Sequence, residues 1–127
     1  ISASLSSLAW EDTFRHVRSG DLVYLDPPYM PLEINGTIFT TYFTDGFSRQ
    51  DQIQLARKSA QLAAKGARVI ASNHDALGEP TVREIYGKAA LDAGCRIEIR
   101  PIQVSRNISC EGHGRVKVNE VLIFMTK

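Results

Sequence analysis

Residues 21–30 read "DLVYLDPPYM", and this stretch decides how the rest of the chain is interpreted. Leu22 to Leu25 is a short apolar run, typical of a strand that is buried on both faces. It is followed at once by Asp26 to Tyr29, which is a carboxylate, two prolines and an aromatic side chain. Because packing alone does not explain these choices, the stretch predicts a strand that ends at a functional loop.

Strand and helix patterns alternate along the rest of the chain. Ser48 is placed to cap a helix, with Asp51 in its capping-box position, and Gly66 ends that helix. The order of elements predicts a doubly wound α/β sheet that is parallel at first and closes with a hairpin-like return. The predicted elements are a short helix at 10–17, strands at 22–25, 68–71, 95–104 and 120–126, helices at 49–65 and 82–93, and a long connection at 30–47.

Composition bounds the class of protein. The 127 residues are 43% hydrophobic and 23% charged, which suits one folded domain and is too apolar for a disordered chain. No apolar run approaches the ~20 residues of a membrane span, and no charged-then-apolar leader opens the sequence. Cys95 and Cys110 lack metal-ligand spacing, so we expect no metal and a reduced, cytoplasmic protein. The first residue is Ile1, which suggests a chain cut from a longer one.

Positive charge is concentrated near the carboxyl end. Residues 96–117 hold five basic and two acidic side chains, a balance of +3, whereas the remainder holds ten basic and twelve acidic ones, a balance of −2. Two interpretations stay open, namely a solvated edge strand with its loop, or a surface that faces phosphates.

Two of the predicted strands end in polar tetrapeptides. Asp26 to Tyr29 follows the first strand, and Ser72 to Asp75 follows the second. Since ligands of open α/β sheets bind outside the carboxyl ends of the strands, we expect both tetrapeptides to face the same crevice.

The first tetrapeptide suits an amino group on a planar ring. Pro27 and Pro28 have fixed φ angles and no backbone N–H, so the turn is rigid, and its carbonyls and the Asp26 carboxylate are hydrogen-bond acceptors. Tyr29 offers a flat face to a planar partner. A nucleobase has these properties, and an enzyme that reaches one in duplex DNA must flip it out of the stack. The alternative is a tight structural turn with Tyr29 packed in the core.

The tetrapeptide resembles the DPPY motif of amino-group DNA methyltransferases. Further stretches are similar, in the same order, to the Dam-type (D12 class) N6-adenine-specific enzymes. Ser72 to Asp75 resembles the "SNHD" of that class, and the run from Arg106 to Leu122 resembles its "RxIS" segment and the charged residues after it. The other similar residues are Phe39, Thr40, Thr41, Tyr42, Phe47, Gln52 and Leu55, and the resemblance covers residues 20–127.

The resemblance implies a fold and a reaction. The fold is the Rossmann-like class I S-adenosylmethionine-dependent methyltransferase fold, here its carboxyl-terminal half, an α/β arrangement with a mostly parallel sheet and an antiparallel last strand. The reaction is site-specific transfer of a methyl group from S-adenosylmethionine to the N6 amine of a flipped adenine in DNA, as in DNA methylation and restriction-modification. Hydrogen bonds from the amine to Asp26 and to the Pro27 carbonyl would free the nitrogen lone pair, the reverse of an oxyanion hole.

The resemblance also implies roles for individual residues. Tyr29 would stack on the adenine. For Asn73, orienting the turn is the alternative to contacting the base, and His74 is expected to be structural. The implied sets are Asp26, Pro27, Pro28 and Tyr29 for catalysis, Tyr29, Phe39, Tyr42 and Asn73 for the base, Arg106, Ser109, Arg115 and Lys117 for DNA, and Asp26 and Phe14 for the cofactor.

Two features of the class are missing from this sequence, the glycine-rich cofactor loop and the target-recognition segment. The glycine-rich stretch from Glu111 to Gly114 follows a late strand instead of opening a helix. We therefore expect residues 1–127 to be a single, partial methyltransferase catalytic domain whose partner is the missing amino-terminal half. An open sheet edge beside Leu22 to Leu25 would follow. The alternatives are a non-catalytic nucleic-acid-binding or structural half-domain, or an amino-methyltransferase acting on cytosine or RNA.

Overall fold

The computed structural model describes residues 2–34, 37–39, 46–76, 80–107 and 115–127. Within these residues, helices and strands follow one another in the predicted alternation, with one additional hairpin. The elements are α1 (Trp10–Phe14), β1 (Leu22–Leu25), β2 (Leu32–Ile34), β3 (Thr37–Phe39), α2 (Arg49–Ala64), β4 (Arg68–His74), α3 (Val82–Ala93), β5 (Arg96–Asn107) and β6 (Arg115–Thr126).

Capping boxes fix the starts of α2 and α3. The Ser48 hydroxyl accepts a hydrogen bond from the Asp51 N–H, and the Asp51 carboxylate accepts one from the Ser48 N–H. Thr81 and Glu84 repeat this arrangement at α3. Helix α3 ends at Gly94, whose φ of 73° lies in the left-handed region that glycine adopts without strain. The predicted cap at Ser48 and the predicted helix at 82–93 are confirmed. None of the described helices is long and apolar enough to cross a membrane.

A four-stranded sheet in the order β1-β4-β6-β5 carries the predicted site. Strand β1 pairs with β4 in parallel, whereas β6 is antiparallel to both β4 and β5. The antiparallel last strand agrees with the prediction. The expectation of a mostly parallel sheet is wrong for the described strands. Because β6 lies between β4 and β5, only one of the three strand pairs in this sheet is parallel.

The core lies between one face of the sheet and the helices α2 and α3. Val69 and Ala71 of β4 stand opposite Met125 and Ile123 of β6, and all four side chains are at most 1% exposed. Alanine residues on the inner side of α2 let its backbone approach the sheet closely. The helical residues of this core are Ala56, Ala60, Ala63, Val82, Ile85, Tyr86 and Ala89.

The other face of β1 is open within the described part of the chain. Leu22 and Tyr24 are 59% and 62% exposed, whereas the alternate residues Val23 and Leu25 pack against the core. The prediction of a strand buried on both faces is therefore wrong for the described residues, because β1 is the edge strand and packs through one face. Among the described strands, none pairs with the outer edge of β1, which agrees with the predicted open edge.

Three boundaries differ from the sequence prediction. Residues 32–34 and 37–39 form the antiparallel hairpin β2–β3 inside the expected long connection. Strand β4 extends through His74, so three residues of the second tetrapeptide lie within the strand and not after it. Strands β5 and β6 pair from Arg96–Thr126 to Asn107–Arg115, so β6 begins at Arg115 and not at Glu120. The polar residues before Glu120 had concealed this part of the strand.

Candidate active site

The carboxyl end of β1 lies beside the second half of β4. The Ser72 hydroxyl lies 3.1 Å from Oδ1 of Asp26 and 3.4 Å from the Leu25 carbonyl oxygen. This contact follows from the parallel register, since Leu25 stands opposite Ala71 and the next residue of each strand continues that register. The two polar tetrapeptides therefore meet, as the sequence predicts.

A buried network of side-chain amides holds the loop that follows Asp26. Asn73 is fully buried, and its Oδ1 accepts hydrogen bonds from the N–H groups of Met30 and His74, each at 2.9 Å. Its Nδ2 donates to Oε1 of Gln52 at 3.3 Å, and Nε2 of Gln52 donates to the Pro28 carbonyl. Buried amides cost free energy unless they are hydrogen-bonded, so this network favours a single position of the loop.

The loop keeps two acceptors available. Pro27 and Pro28 have no N–H, so these positions offer acceptors and no backbone donor. Gln52 takes the Pro28 carbonyl, and Ser72 takes Oδ1 of Asp26. Within the described residues, Oδ2 of Asp26 and the Pro27 carbonyl oxygen have no hydrogen-bond partner. Asp26 is exposed and Pro27 is half-buried, so no described residue prevents these atoms from accepting hydrogen bonds from a ligand.

Tyr29 lies against His74. The ring centroids are 4.7 Å apart and the planes are inclined by 81°, which is an edge-to-face contact. The His74 Nδ1 lies 2.8 Å from the Met30 carbonyl, and because a carbonyl only accepts hydrogen bonds, this nitrogen carries the proton. Tyr29 is half-buried and not enclosed in the core, so part of its side chain is accessible. These contacts agree with the expectation that His74 has a structural role.

An ion pair fixes the end of β4. Nε and Nη2 of Arg83 each lie 2.8 Å from a carboxylate oxygen of Asp75. The hydrogen bonds from Arg83 hold the pKa of Asp75 below its ordinary value, and the pairing raises the pKa of Arg83. The Asp75 N–H also donates to the Asn119 carbonyl at 2.9 Å. Helix α3 and strand β6 therefore hold the residue that follows the strand.

The β5–β6 hairpin extends beyond the carboxyl end of β4. Its register continues for five pairs past the pairing of His74 with Glu120. At about 3.4 Å per residue, this extension is roughly 17 Å long. Because β6 runs antiparallel to β4, the extension projects from the end of the sheet that carries Asp26. The backbones of Arg106 and Arg115 and the exposed residue Lys117 lie in this extension, which we call the basic arm.

Of the remaining predicted site residues, the structure describes the side chain of Phe14, which lies outside the network. Phe14 of α1 packs edge-to-face on Trp10, with 5.1 Å between the ring centroids. Phe39 lies in β3, where the backbone is described and the side chain is not. Tyr42 and Ser109 lie outside the described residues. No group of three or more His, Cys, Asp or Glu side chains in the described part of the chain is placed to bind a metal ion.

Sequence reasoning assigned no role to Ser72 or Gln52. Gln52 is 2% exposed and lies on the inner stripe of α2, four residues before Ala56 and eight before Ala60. A glutamine in such a stripe is a usable signal, because a buried amide needs partners for its donor and its acceptor. The partners themselves lie on β1's loop and on β4, which the sequence alone does not place.

Comparison with known proteins identifies the family. The model of the D12 class N6 adenine-specific DNA methyltransferases matches residues 3–96. The chain is 34% identical over 125 residues to a DNA adenine methylase of Vibrio cholerae, which covers 98% of this chain and 41% of that protein. It is 31% identical over 122 residues to a type II methyltransferase of Lactococcus lactis, covering 96% and 39%. It is 35% identical over 103 residues to the DNA N-6-adenine-methyltransferase of Escherichia phage P1, covering 81% and 12%.

The chain belongs to the D12 class N6 adenine-specific DNA methyltransferase family. It spans about two fifths of the length of the Vibrio and Lactococcus relatives.

Proposed function

We propose that this chain is the carboxyl-terminal part of the catalytic domain of an enzyme that methylates the N6 amine of adenine in DNA, with S-adenosylmethionine as the methyl donor. The proposal includes the Rossmann-like class I methyltransferase fold, whose other strands would belong to an amino-terminal half. The observation that carries the proposal is the pair of available acceptors, Oδ2 of Asp26 and the Pro27 carbonyl, at the carboxyl end of β1. Membership of the family supports the reaction class.

The two acceptors match the chemistry of the adenine amine. Its nitrogen carries two hydrogens and a lone pair that is delocalised into the ring, so it is a poor nucleophile. Hydrogen bonds to Asp26 and to the Pro27 carbonyl would favour a pyramidal nitrogen with its lone pair free to attack. Positive charge would develop on this nitrogen as the N–C bond forms and the S–C bond of the methyl donor breaks, with the neutral thioether S-adenosylhomocysteine as the leaving group. Acceptors already in place would stabilise this charge without reorganisation. The methylated nitrogen then loses a proton to water, so Asp26 need not be a strong base.

Tyr29 is proposed as the stacking surface for the flipped base. A base taken out of the duplex loses its neighbours, and an aromatic ring replaces part of that stacking. The edge-to-face contact with His74 sets the orientation of the Tyr29 ring. Asn73 is placed to hold the turn, because its side chain is fully buried, its Oδ1 accepts from the Met30 and His74 N–H groups, and its Nδ2 donates to Gln52. Of the two roles left open for Asn73, orientation of the turn is therefore the one we propose.

The basic arm is proposed to contact DNA phosphates. Lys117 is exposed, and Arg106 and Arg115 occupy neighbouring positions of the same hairpin. The arm projects from the end of the sheet that carries Asp26, so it would reach DNA while the base lies at the loop. Phosphate contacts position a protein on the duplex, and they make binding depend on salt. Ser109, and likewise Phe39 and Tyr42 near the base, keep their proposed roles on the basis of the family resemblance.

The residues of this chain are better suited to binding the amine that is methylated than to binding the methyl donor. S-adenosylmethionine would supply an electrophilic methyl group, and contacts from Asp26 and Phe14 to this donor remain part of the proposal. Within the described residues, the loop at Asp26 is rich in acceptors and not in donors, so it does not by itself form a site for a carboxylate. We assign most of the donor site to the amino-terminal half, which would also cover Leu22 and Tyr24 on the open face. A cytoplasmic location, with access to DNA, is proposed.

Labelled methyl transfer tests this function. The full-length gene product that contains this chain is incubated with S-adenosylmethionine carrying a labelled methyl group and with DNA or RNA. The nucleosides are then separated and identified by mass spectrometry. We expect the label in N6-methyladenine of DNA. Label in N4-methylcytosine or in RNA would replace the proposed substrate, and absence of transfer together with tight DNA binding would favour a non-catalytic binding domain.

A further inference from the structure

Gln52 is a buried polar residue on a helix face whose other buried residues, apart from Ser59, are apolar. It is 2% exposed, and its neighbours on the buried side of α2 include Leu55, Ala56 and Ala60. Both ends of its amide are engaged, since Nε2 donates to the Pro28 carbonyl and Oε1 accepts from Nδ2 of Asn73. A side chain that uses both groups in this way links α2 to the loop and to β4 at once.

The link selects which acceptors of the loop remain available. Asp26, Pro27 and Pro28 together present four acceptor oxygens, two on the Asp26 carboxylate and one on each proline carbonyl. The bond from Gln52 takes the Pro28 oxygen, and the bond from Ser72 takes one Asp26 oxygen. Within the described residues, the other Asp26 oxygen and the Pro27 carbonyl carry no hydrogen bond, so each can accept one of the two hydrogens of an amino group.

The position of Gln52 along α2 is itself fixed. The capping box of Ser48 and Asp51 sets the first turn, and the Gln52 N–H closes that turn by donating to the Ser48 carbonyl at 3.1 Å. Register and rotation of the helix are therefore set one residue before the side chain that reaches the loop.

We propose that Gln52 is a positioning residue: by holding the Pro28 carbonyl, it aims the Pro27 carbonyl and Asp26 at the amine of the substrate. This inference rests on the proposed methyl transfer to an amino group. Gln52 does not touch the base; it acts through the loop. Its loss is expected to slow the chemical step and to leave phosphate contacts unchanged, because the basic arm proposed for them does not contact Gln52.

Two substitutions distinguish the effect of the hydrogen bonds of Gln52 from the effect of its side-chain volume. Gln52→Met keeps the length of the side chain and removes both hydrogen bonds. Gln52→Glu keeps the acceptor for Asn73, loses the donor when the carboxyl group is ionised, and regains a donor when it is protonated. Gln50→Met, at an exposed position of the same helix turn, is the matched control.

The full-length protein is assayed by single-turnover methyl transfer at saturating DNA, with rates expressed per folded molecule. We expect Gln52→Met to lower this rate about 10- to 100-fold, less than the roughly 100- to 1,000-fold found when a preorganised group that contacts the reacting atoms is lost, because Gln52 acts through the loop. The affinity for DNA without a target adenine, which depends on the proposed phosphate contacts, should stay at the wild-type value. The Gln52→Glu rate should rise relative to wild type as the pH falls, which a purely structural role would not produce. The Gln50→Met rate should equal the wild-type rate.

A second readout does not depend on activity. Amide hydrogen exchange at Tyr29 and Met30 reports whether the loop is held, and we expect faster exchange there in Gln52→Met while the core amides of β4 stay protected. A wild-type rate per folded molecule, with unchanged exchange at the loop, would overturn the positioning role. If the wild-type protein methylates no amine, the proposed function fails, and the exchange experiment still decides whether Gln52 holds the loop.

Discussion

Asn73 holds Met30 from across the sheet: its Oδ1 accepts a hydrogen bond from the Met30 N–H at 2.9 Å, with both residues buried. The contact joins β4 to the residue that directly follows the DPPY tetrapeptide. Two residues that are 43 positions apart in the chain thereby fix where the tetrapeptide ends.

Removing this acceptor should destabilise the protein. In Asn73→Ala the buried Met30 N–H loses its partner, and an unsatisfied buried donor costs about 1–3 kcal/mol of unfolding free energy. Chemical denaturation of the full-length protein measures this change. Asn119→Ala, at an exposed position of β6, is the control and should stay near wild type. Equal stability of Asn73→Ala and wild type would mean that water replaces the amide and that the network does not hold the loop.

The Asp75–Arg83 pair should make stability depend on acid pH. Hydrogen bonds from Arg83 lower the pKa of Asp75 from its ordinary value of 3.8, so the folded state favours the ionised carboxylate. A lowered pKa gives stability that is present above the unfolded-state value and is lost as the pH falls through the folded-state value. Because Arg83 is 44% exposed, we expect Asp75→Asn to cost only about 0.2–1 kcal/mol at pH 7.

The test compares denaturation midpoints of wild type and Asp75→Asn from pH 7 down through the acid range. The difference between the two proteins should shrink below about pH 4 and vanish once Asp75 is protonated. Asp92→Asn, which breaks a pair with Lys88 in the same helix, controls for the loss of a surface charge. A difference that persists unchanged at the lowest pH would show that the Asp75 carboxylate acts through packing and not through its charge.

Substitutions at Tyr29 distinguish a role in base stacking from a role in core packing. If its ring stacks on a flipped adenine, Tyr29→Phe should keep most activity, because the ring is retained. Tyr29→Ala should lose about 1–3 kcal/mol of base binding, which is roughly a ten- to hundredfold loss of affinity. Fluorescence of 2-aminopurine at the target position follows flipping, and chemical denaturation is measured on the same samples.

A core role for Tyr29 predicts another outcome. Truncation of a large buried aromatic costs about 3–5 kcal/mol, so Tyr29→Ala would then unfold much of the protein. Its half-buried state and its edge contact with His74 favour the stacking interpretation. A large fall in the denaturation midpoint, or intact flipping in Tyr29→Ala, would contradict it.

Local features of the fold, such as helix caps, could be predicted from the sequence, whereas the pairing of the β-strands could not. The caps at Ser48 and Gly94 depend on residues within one helical turn, so the sequence places them directly. The insertion of β6 between β4 and β5 depends on contacts between distant residues, and its polar first half does not resemble a buried strand. The exposure of Tyr24 was missed for a similar reason, because an apolar strand does not reveal how many of its faces are covered.

The candidate site likewise has features that the sequence predicts and features that depend on contacts between distant residues. Asp26 to Tyr29 carries its chemistry in its residue types, and the carboxyl-end rule for α/β sheets brings Ser72 beside it. The hydrogen bond from Gln52 to the Pro28 carbonyl spans 24 residues and depends on how α2 packs on the sheet. Sequence similarity had marked Gln52 without indicating what it does.

The central claim is that Asp26 supplies an acceptor to the amine that is methylated, and Asp26→Ala tests it most directly. Single-turnover methyl transfer to adenine in DNA is measured for the full-length wild type, Asp26→Ala and Asp21→Ala, with denaturation midpoints on the same samples. Asp21 is an exposed carboxylate at the opposite end of β1, bonded to the Arg18 N–H, and serves as the control.

We predict that Asp26→Ala keeps the wild-type midpoint and loses at least about a hundredfold in rate, the usual effect of removing one preorganised polar contact from a transition state. Asp21→Ala should keep the wild-type rate per folded molecule. A folded Asp26→Ala protein that methylates adenine at the wild-type rate would contradict the account. So would a loss of folding accompanied by normal activity in the fraction that remains folded, because Asp26 would then be structural.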